Sequence, residues 1–507
     1  LNRIFKIAAL AAVLIFNLSE VSLAQFSLNA ENMALGGGGT SYLTGYETLF
    51  INPANLHIHE EAYSLQISAM QSSVYSEYLL PETDFSTRSD QLYSVFLPYK
   101  SADPSLSMTE ADRNTILGRN FPGNRSVAAF QSMTDHHWVG LKWKGEKRSY
   151  GAAFRTRIFS KFELGRGYFS DEPVERGNRL ITDRSFRHQF QSMHEISFGY
   201  AESFDFLNGL SPQLSDFIIG IAPKIVIAGA SVDAAYENIY NYDSETDQTD
   251  RSYQYNQQAT GVFSENQPYF FQDQPIDFVE GSFSDLLKPS GLGLGLDVGI
   301  TYLITFGGDL SVVQRETTPT EKSLRLSFSI TDIGAIYQFE QPEEITTEKV
   351  EDTVDELPSV SDRQFTGAPF EHLFFLDAQE DSPFNLSPEF SDDSYYSMLP
   401  TSVQAGALFQ INRMKVMGDV RFPVVSHQFA SKAPIVNLGT ELKPLSFLPV
   451  RLGTRIAPHL PGYYSIGIGF EHRYFEIHTA LTVKSSQIGP TNEVVGGSLG
   501  TIKINLP

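Results

Sequence analysis

The chain has 507 residues, no cysteine and a formal net charge of −23. With no disulfide framework available, its core must come from burial, sheet closure or lipid. So acidic a surface repels a polyanion, which excludes nucleic acid as a partner.

The opening residues, LNRIFKIAALAAVLIFNLSEVSLAQ, set Arg3 and Lys6 ahead of an apolar run from Ile7 to Phe16, with Ser22 and Ala24 before Gln25. This order predicts a cleaved secretory signal over residues 1–24. The apolar run is too short against the roughly 20 residues of a spanning helix, and no run of 18 or more apolar residues follows it.

Residues 25–61 contain the stretch ALGGGGTSYLTGYETLFINPANL. Gly36, Gly37, Gly38 and Gly39 precede Thr40 and Ser41 with no Lys, so the cation that closes a phosphate loop is missing. Glycine without Cβ lets backbone turn and pack closely, and Pro53 fixes a turn between Asn52 and Ala54. The segment is predicted to fold inward as a hatch. His57 and His59, on one face if extended, and His136 with His137 raise a metal site, but no third ligand is identifiable. A solvated cluster is the other reading.

From Ala62 onward a period of two dominates. Tyr63, Leu65 and Ile67 alternate with Ser64, Gln66 and Ser68, and Phe217, Ile219, Ile221, Ile225 and Ile227 continue the pattern. In LGLGLDVGITYLITF, Leu292 to Phe306, every even position is apolar. Leu324, Leu326, Phe328 and Ile330 repeat it, as do Val403 to Ile411 and Ile502 to Leu506. A phase change between Tyr464–Phe470 and Phe475–Val483 places a tight turn at Glu471 to Arg473. At about 3.3 Å per residue, the fifteen residues from Leu292 to Phe306 reach nearly 50 Å, longer than the usual strand of a soluble sandwich. The expected fold is all-β: a transmembrane antiparallel β-barrel of about 14 strands over 62–507, its apolar face toward outer-membrane lipid and an N-terminal hatch inside the lumen.

Lys224, Asp297 and Arg325 lie on the small-residue faces of their strands. They either form a charged constriction or pair structurally inside the barrel. Two segments, 241–290 and 341–400, are expected as long loops, the second carrying seven acids against the single Lys349 between Glu343 and Glu356. Such loops either bind a partner protein or are merely solvated. DSETD at Asp243 lacks the Gly and final Glu of a calcium loop. GGSLG, Gly496 to Gly500, matches a nucleophile elbow only on paper, since no His follows His478; it is expected as a turn. No nucleophile, base and orienting group can be assembled, so no enzyme, cofactor or catalytic residue is expected.

The signal, the glycine-rich NAENMALGGGGTSYL, the Asn52-Pro53-Ala54 turn and the long alternating strands together resemble the long-chain fatty-acid transporter superfamily of outer-membrane barrels. GLGLGLDVGITY, SFSITDIG and LPTSVQAGALF look like an uncharacterised branch related to it. One departure is the C-terminal Leu506-Pro507, where such barrels commonly end on an aromatic. The resemblance implies that residues 36–39 and 52–54 belong to the hatch. It also implies passage of a small hydrophobic or amphipathic solute across the outer membrane. A non-transporting scaffold of a secretion or surface-attachment machine is the alternative expectation.

Overall fold

The computed structural model describes residues 29–58, 65–76, 114, 116–118, 120–121, 125–176, 179–204, 214–243, 246, 248–264, 287–306, 322–340, 342–354, 388–391, 393–425, 434–457, 462–484, 493–500 and 502–506. The signal lies outside them, as do His59 and most of the Asp243–Asp247 stretch.

The alternating segments form strands that pair antiparallel with their neighbours around a closed wall. In order these are Leu65–Ser76, Val127–Lys144, Arg148–Gly165, Phe186–Phe204, Leu214–Asp243, Gly291–Thr305 and Lys322–Gln338. Ser402–Ile411, Met414–Pro423, Ile435–Leu445, Leu448–Ile456, Tyr463–His472 and Phe475–Lys484 continue it. Glu493–Leu499 and Ile502–Leu506 together make the last wall position and pair back onto Leu65–Ser76. Among the described residues the wall therefore has fourteen positions and no open edge.

The period of two sorts side chains as a membrane requires. Leu294 is 71% exposed and Ile466 53%, whereas Asp297 and Arg325, on the opposite face, are fully buried. Apolar outside and charged inside inverts a soluble protein, and closure leaves no unpaired strand edge to the lipid. The connections at residues 145–147, 412–413, 446–447 and 473–474 all lie at one end, the short-turn end, where Leu65 and Leu506 also pair.

At the long-loop end the sheet outgrows the barrel. Leu214–Asp243 continues past its last pairing with Gly291–Thr305 and carries Arg179–Asp183 on one edge and Gln248–Thr260 on the other. Glu343–Thr347 and Val350–Val354 add to Gln248–Thr260.

The segments expected as loops are thus partly strand. In Gln248–Thr260 every second side chain is buried, Tyr253 and Tyr255 among them, so its aromatic content reports packing rather than loop. Glu343–Thr347 and Val350–Val354 are strands despite their acids, because an adjacent edge offers backbone partners and the acids can point to water. Two turns are also corrected. The two-residue reversal is Arg473-Tyr474, one residue beyond the expected span, since His472 pairs with Phe475. Gly496 to Leu499 is strand, not turn, and the interruption falls at Gly500, where a Cβ would run into the His478 carbonyl.

Candidate functional site

Residues 29–58 lie buried against the inner face of the wall. The segment opens with a helix, Ala30–Ala34, capped reciprocally: Asn32 N donates to Asn29 Oδ1 at 2.7 Å and Asn29 N to Asn32 Oδ1 at 2.8 Å. The four glycines then turn the chain, Gly36 at φ 79° and Gly39 at φ 150°, conformations that exclude most side chains. The last of their amides does meet an anion, but one built into the wall. Gly39 N donates to Asp419 Oδ2 at 2.6 Å, with the Thr40 and Ser41 amides on the same carboxylate. A Cβ on Gly38 would come within 2.6 Å of that oxygen.

Two short 3-10 turns follow, Tyr46–Phe50 and Pro53–His57. Asn52 caps the second by accepting from Ala54 N at 3.3 Å. Its amide donates to Thr40 O at 3.0 Å and to Thr301 Oγ1 on the wall at 2.9 Å. Asn55 donates to Thr40 O at 2.9 Å and Leu43 O at 3.0 Å, so residues 40–58 are stitched into one piece. That piece beds on glycines of the wall: Leu49 and Leu56 on Gly151 and Gly199, and Pro53-Ala54 on Gly220. The Asn-Pro-Ala turn is therefore a docking feature.

Two of the three lumen charges read from the sequence meet. Lys224 Nζ contacts Asp297 Oδ2 at 2.9 Å and also pairs with Asp332. Around them a buried layer crosses the lumen. Arg157 bonds Glu195 and lies 3.2 Å from Asp332, and Arg155 bonds Glu195 and lies 3.5 Å from Asp135. Arg325 is not part of it; its Nη1 donates to the carbonyls of Ser41 at 2.8 Å and Tyr42 at 3.2 Å. Asp135, Arg155, Arg157 and Glu195 lie on polar-facing alternate positions, a signal the sequence carried. Asp332 is less legible, because a bulge between Ile330 and Ile333 turns it inward beside Thr331, with φ 57°.

On the long-loop side of this ionic layer the inward faces become apolar. Two residues along from Asp135, Arg157, Glu195 and Lys224 come Met133, Phe159, Met193 and Val226. They form one buried cluster with Ile336, Leu399 and Tyr463, and with Met33 and Ala34 of the N-terminal helix.

On the short-turn side a second charged network holds residues 31–47. Lys503 Nζ contacts Glu31 at 2.8 Å and Glu47 at 2.7 Å. Arg451 reaches the Tyr42 hydroxyl at 2.8 Å, Glu441 at 2.8 Å and Glu471 at 3.1 Å. A small polar cavity opens here, lined by Glu31, Gly45, Lys415, Glu471, Glu476 and Lys503.

Glu31, Glu476 and His478 stand close enough for a metal, with His478 Nε2 3.5 Å from each carboxylate. The ring's other nitrogen faces the Arg451 guanidinium at 3.0 Å and must accept from it. Neutral His478 then carries its proton on Nε2, toward the carboxylates, where a metal would need a lone pair. Lys503 and Arg451 already supply the cations.

The other histidines are apart. His57 is in a 3-10 turn rather than a strand, with Nδ1 3.1 Å from Ser149 Oγ. His137 is buried 3.1 Å from Asp135, and His136 bonds Ser72 across the wall at 2.5 Å.

The structure is similar to the P. putida toluene transporter TodX, with 11% identity, TM-score 0.41, and 95% of this chain and 99% of that chain covered. It is similar to a Pseudomonas aeruginosa FadL homologue at 9% identity and TM-score 0.39, covering 96% and 98%. It is also similar to the CymD monoaromatic hydrocarbon channel, at 11% identity and TM-score 0.39, covering 95% and 97%. No curated protein matches. Residues 69–474, well over half of the sequence, match a family of unknown function, DUF5723, and the chain belongs to that family.

Proposed function

We propose that this protein is an outer-membrane channel for small hydrophobic or amphipathic solutes, closed at rest by residues 29–58. The observation that carries the reading is the apolar layer of Met133, Phe159, Met193, Val226 and Ile336 on the inner face of the wall, directly beside the buried ionic layer. A barrel passing ions or sugars gains nothing from it, whereas an apolar solute gains about 25 cal/mol per Å² buried. Two methionines and an aromatic let such a surface fit varied shapes. In this reading the short-turn end faces the periplasm and the sheet extension the exterior, and no chemical step occurs on the solute.

Reconstituted into liposomes, wild type should take up members of a fatty-acid and hydrocarbon panel faster than protein-free vesicles. Met193→Glu, which puts a charge in the apolar layer, should cut that flux about tenfold or more, since it removes burial worth a few kcal/mol. Wild-type flux equal to empty vesicles would end the channel reading. The scaffold reading would then take its place, with the sheet extension as its binding face.

A further inference from the structure

The outer face of the wall is mostly apolar, but its first four strands carry a polar row there. Ser72, His136, Thr156 and His194 stand opposite one another in register, with the Trp138 indole edge-on to the His136 ring. Trp138 Nε1 donates to Thr156 Oγ1 at 2.9 Å, Thr156 Oγ1 lies 2.8 Å from His194 Nδ1, and His194 Nε2 lies 3.2 Å from Leu287 O. A carbonyl only accepts, so His194 keeps its proton on Nε2 and Thr156 donates to Nδ1. That half of the row is satisfied. In the other half His136 Nδ1 is 2.5 Å from Ser72 Oγ, whereas His136 Nε2 is buried with no partner among the described residues. A proton on Nε2 would be a buried donor without an acceptor, so the neutral ring carries it on Nδ1 and donates to Ser72 Oγ. The Ser72 hydroxyl proton is then left without an acceptor among the described residues.

We propose that Ser72 is a lipid-binding donor, its hydroxyl bonding the acyl-ester carbonyl of a membrane lipid in the leaflet on the long-loop side. The backbone is built to present it. Met70, at φ 59°, and Trp138, bulged against the next strand, lie between the pairs Ala69–Val139 and Gln71–His137, and both turn outward. Without this switch of phase Ser72 and His136 would face the lumen. The surroundings select the ligand group. The outward neighbours Ala69, Met70, Val74, Val139 and Leu499 carry no charge, so a phosphate would find no counter-charge. From Trp143, near the short turns, the strand climbs about 23 Å to His136, which at a tilt near 40° is about 18 Å of an apolar band about 25 Å tall. The row therefore lies below the headgroups, at the depth where acyl esters begin. Val139 and Leu141 beneath it are exposed to lipid chains, whereas further toward the long loops Ile158 and Phe190 are buried with Phe263, against which Leu287 packs. A lipid on this face thus points its polar end toward the long loops. The proton on Nδ1 favours binding over cleavage, because His136 gives Ser72 a hydrogen bond instead of taking its proton. The inference concerns the lipid face and holds whether or not the lumen conducts.

The chain has two tryptophans, Trp138 and Trp143, so Trp143→Phe leaves Trp138, beside the site, as the reporter. This protein is reconstituted into bilayers that mix ester-linked phosphatidylcholine carrying dibrominated chains with its unbrominated ether-linked analogue. Quenching of Trp138 should show the ester lipid enriched beside it about fivefold, the worth of one net hydrogen bond. Moving the bromine to the ether lipid should give the reciprocal result. Ser72→Ala in the same background should bring the ratio to one while heat-modifiable folding is kept, and Ser72→Thr, which retains a hydroxyl, should keep the preference. Equal quenching by the two lipids in the reporter protein, or an ester preference that survives in Ser72→Ala, would overturn the proposal. Fatty acid released from the ester lipid by the reporter protein but not by Ser72→Ala would also overturn it, since Ser72 would then be a nucleophile.

Discussion

At the scale of single residues, two kinds of contact hold residues 29–58, and they respond to substitution differently. Arg451 is buried among Tyr42, Glu441 and Glu471. Arg451→Gln leaves Glu441 with Lys415 and Glu471 with Lys443 but takes away their shared guanidinium, a change that costs about 1–3 kcal/mol. The variant should unfold at a clearly lower temperature on a semi-native gel; an unchanged transition would mean that water relieves the site. Gly220 works through absence of a side chain, since any Cβ there overlaps Pro53 and Ala54. Gly220→Leu should cost about 1–3 kcal/mol or expel residues 46–58 to protease, whereas Gly497→Ala, whose Cβ would meet nothing closer than Leu481 at 3.6 Å, should change neither. The glycines and the Asn52-Pro53-Ala54 turn were legible as close-packing chemistry before any coordinates. Their partners were not, because Asp419 and Thr301 lie hundreds of residues away in sequence and one carboxylate on an alternating strand looks like another.

At the scale of elements, alternation was legible wherever one face met lipid and the other the lumen, as in Gly291–Thr305. It failed in the extension, where both faces can be polar and acids had suggested loop. Glu343, in that extension and outside the membrane-spanning strands, shows the cost of folding acids into a sheet: burial pushes its carboxyl from 4.5 up to about 7. A folded pKa above the unfolded one means that the folded state binds the extra proton between these values. Its contribution to stability is therefore full below about 4.5 and is lost as pH rises through about 7. Amides of Glu343–Thr347 should exchange faster at pH 8 than at pH 5.5 after correction for intrinsic rates, and Glu343→Gln should flatten that difference. An equal pH effect in the Gln variant would assign it to another group.

For the whole molecule, the barrel and its approximate strand number followed from strand length and from repetition of one pattern. The layering of the lumen did not, because it depends on how fourteen strands are staggered, and a bulge such as that at Asp332 shifts which residues share a level. One contact described above has a consequence in time rather than in space. Glu31 and Lys503 are 472 residues apart, and Lys503 lies on the strand whose pairing with Leu65–Ser76 closes the wall. The segment 29–58 is made before the wall, yet its Lys503 anchor comes on the fourteenth wall position. Its sequence must therefore wait, unpartnered and in need of protection from aggregation, until the final strand is laid. A chain stopped before that strand would leave Glu31 without its lysine and the wall without its seam, so completion of the barrel and seating of the plug report on each other.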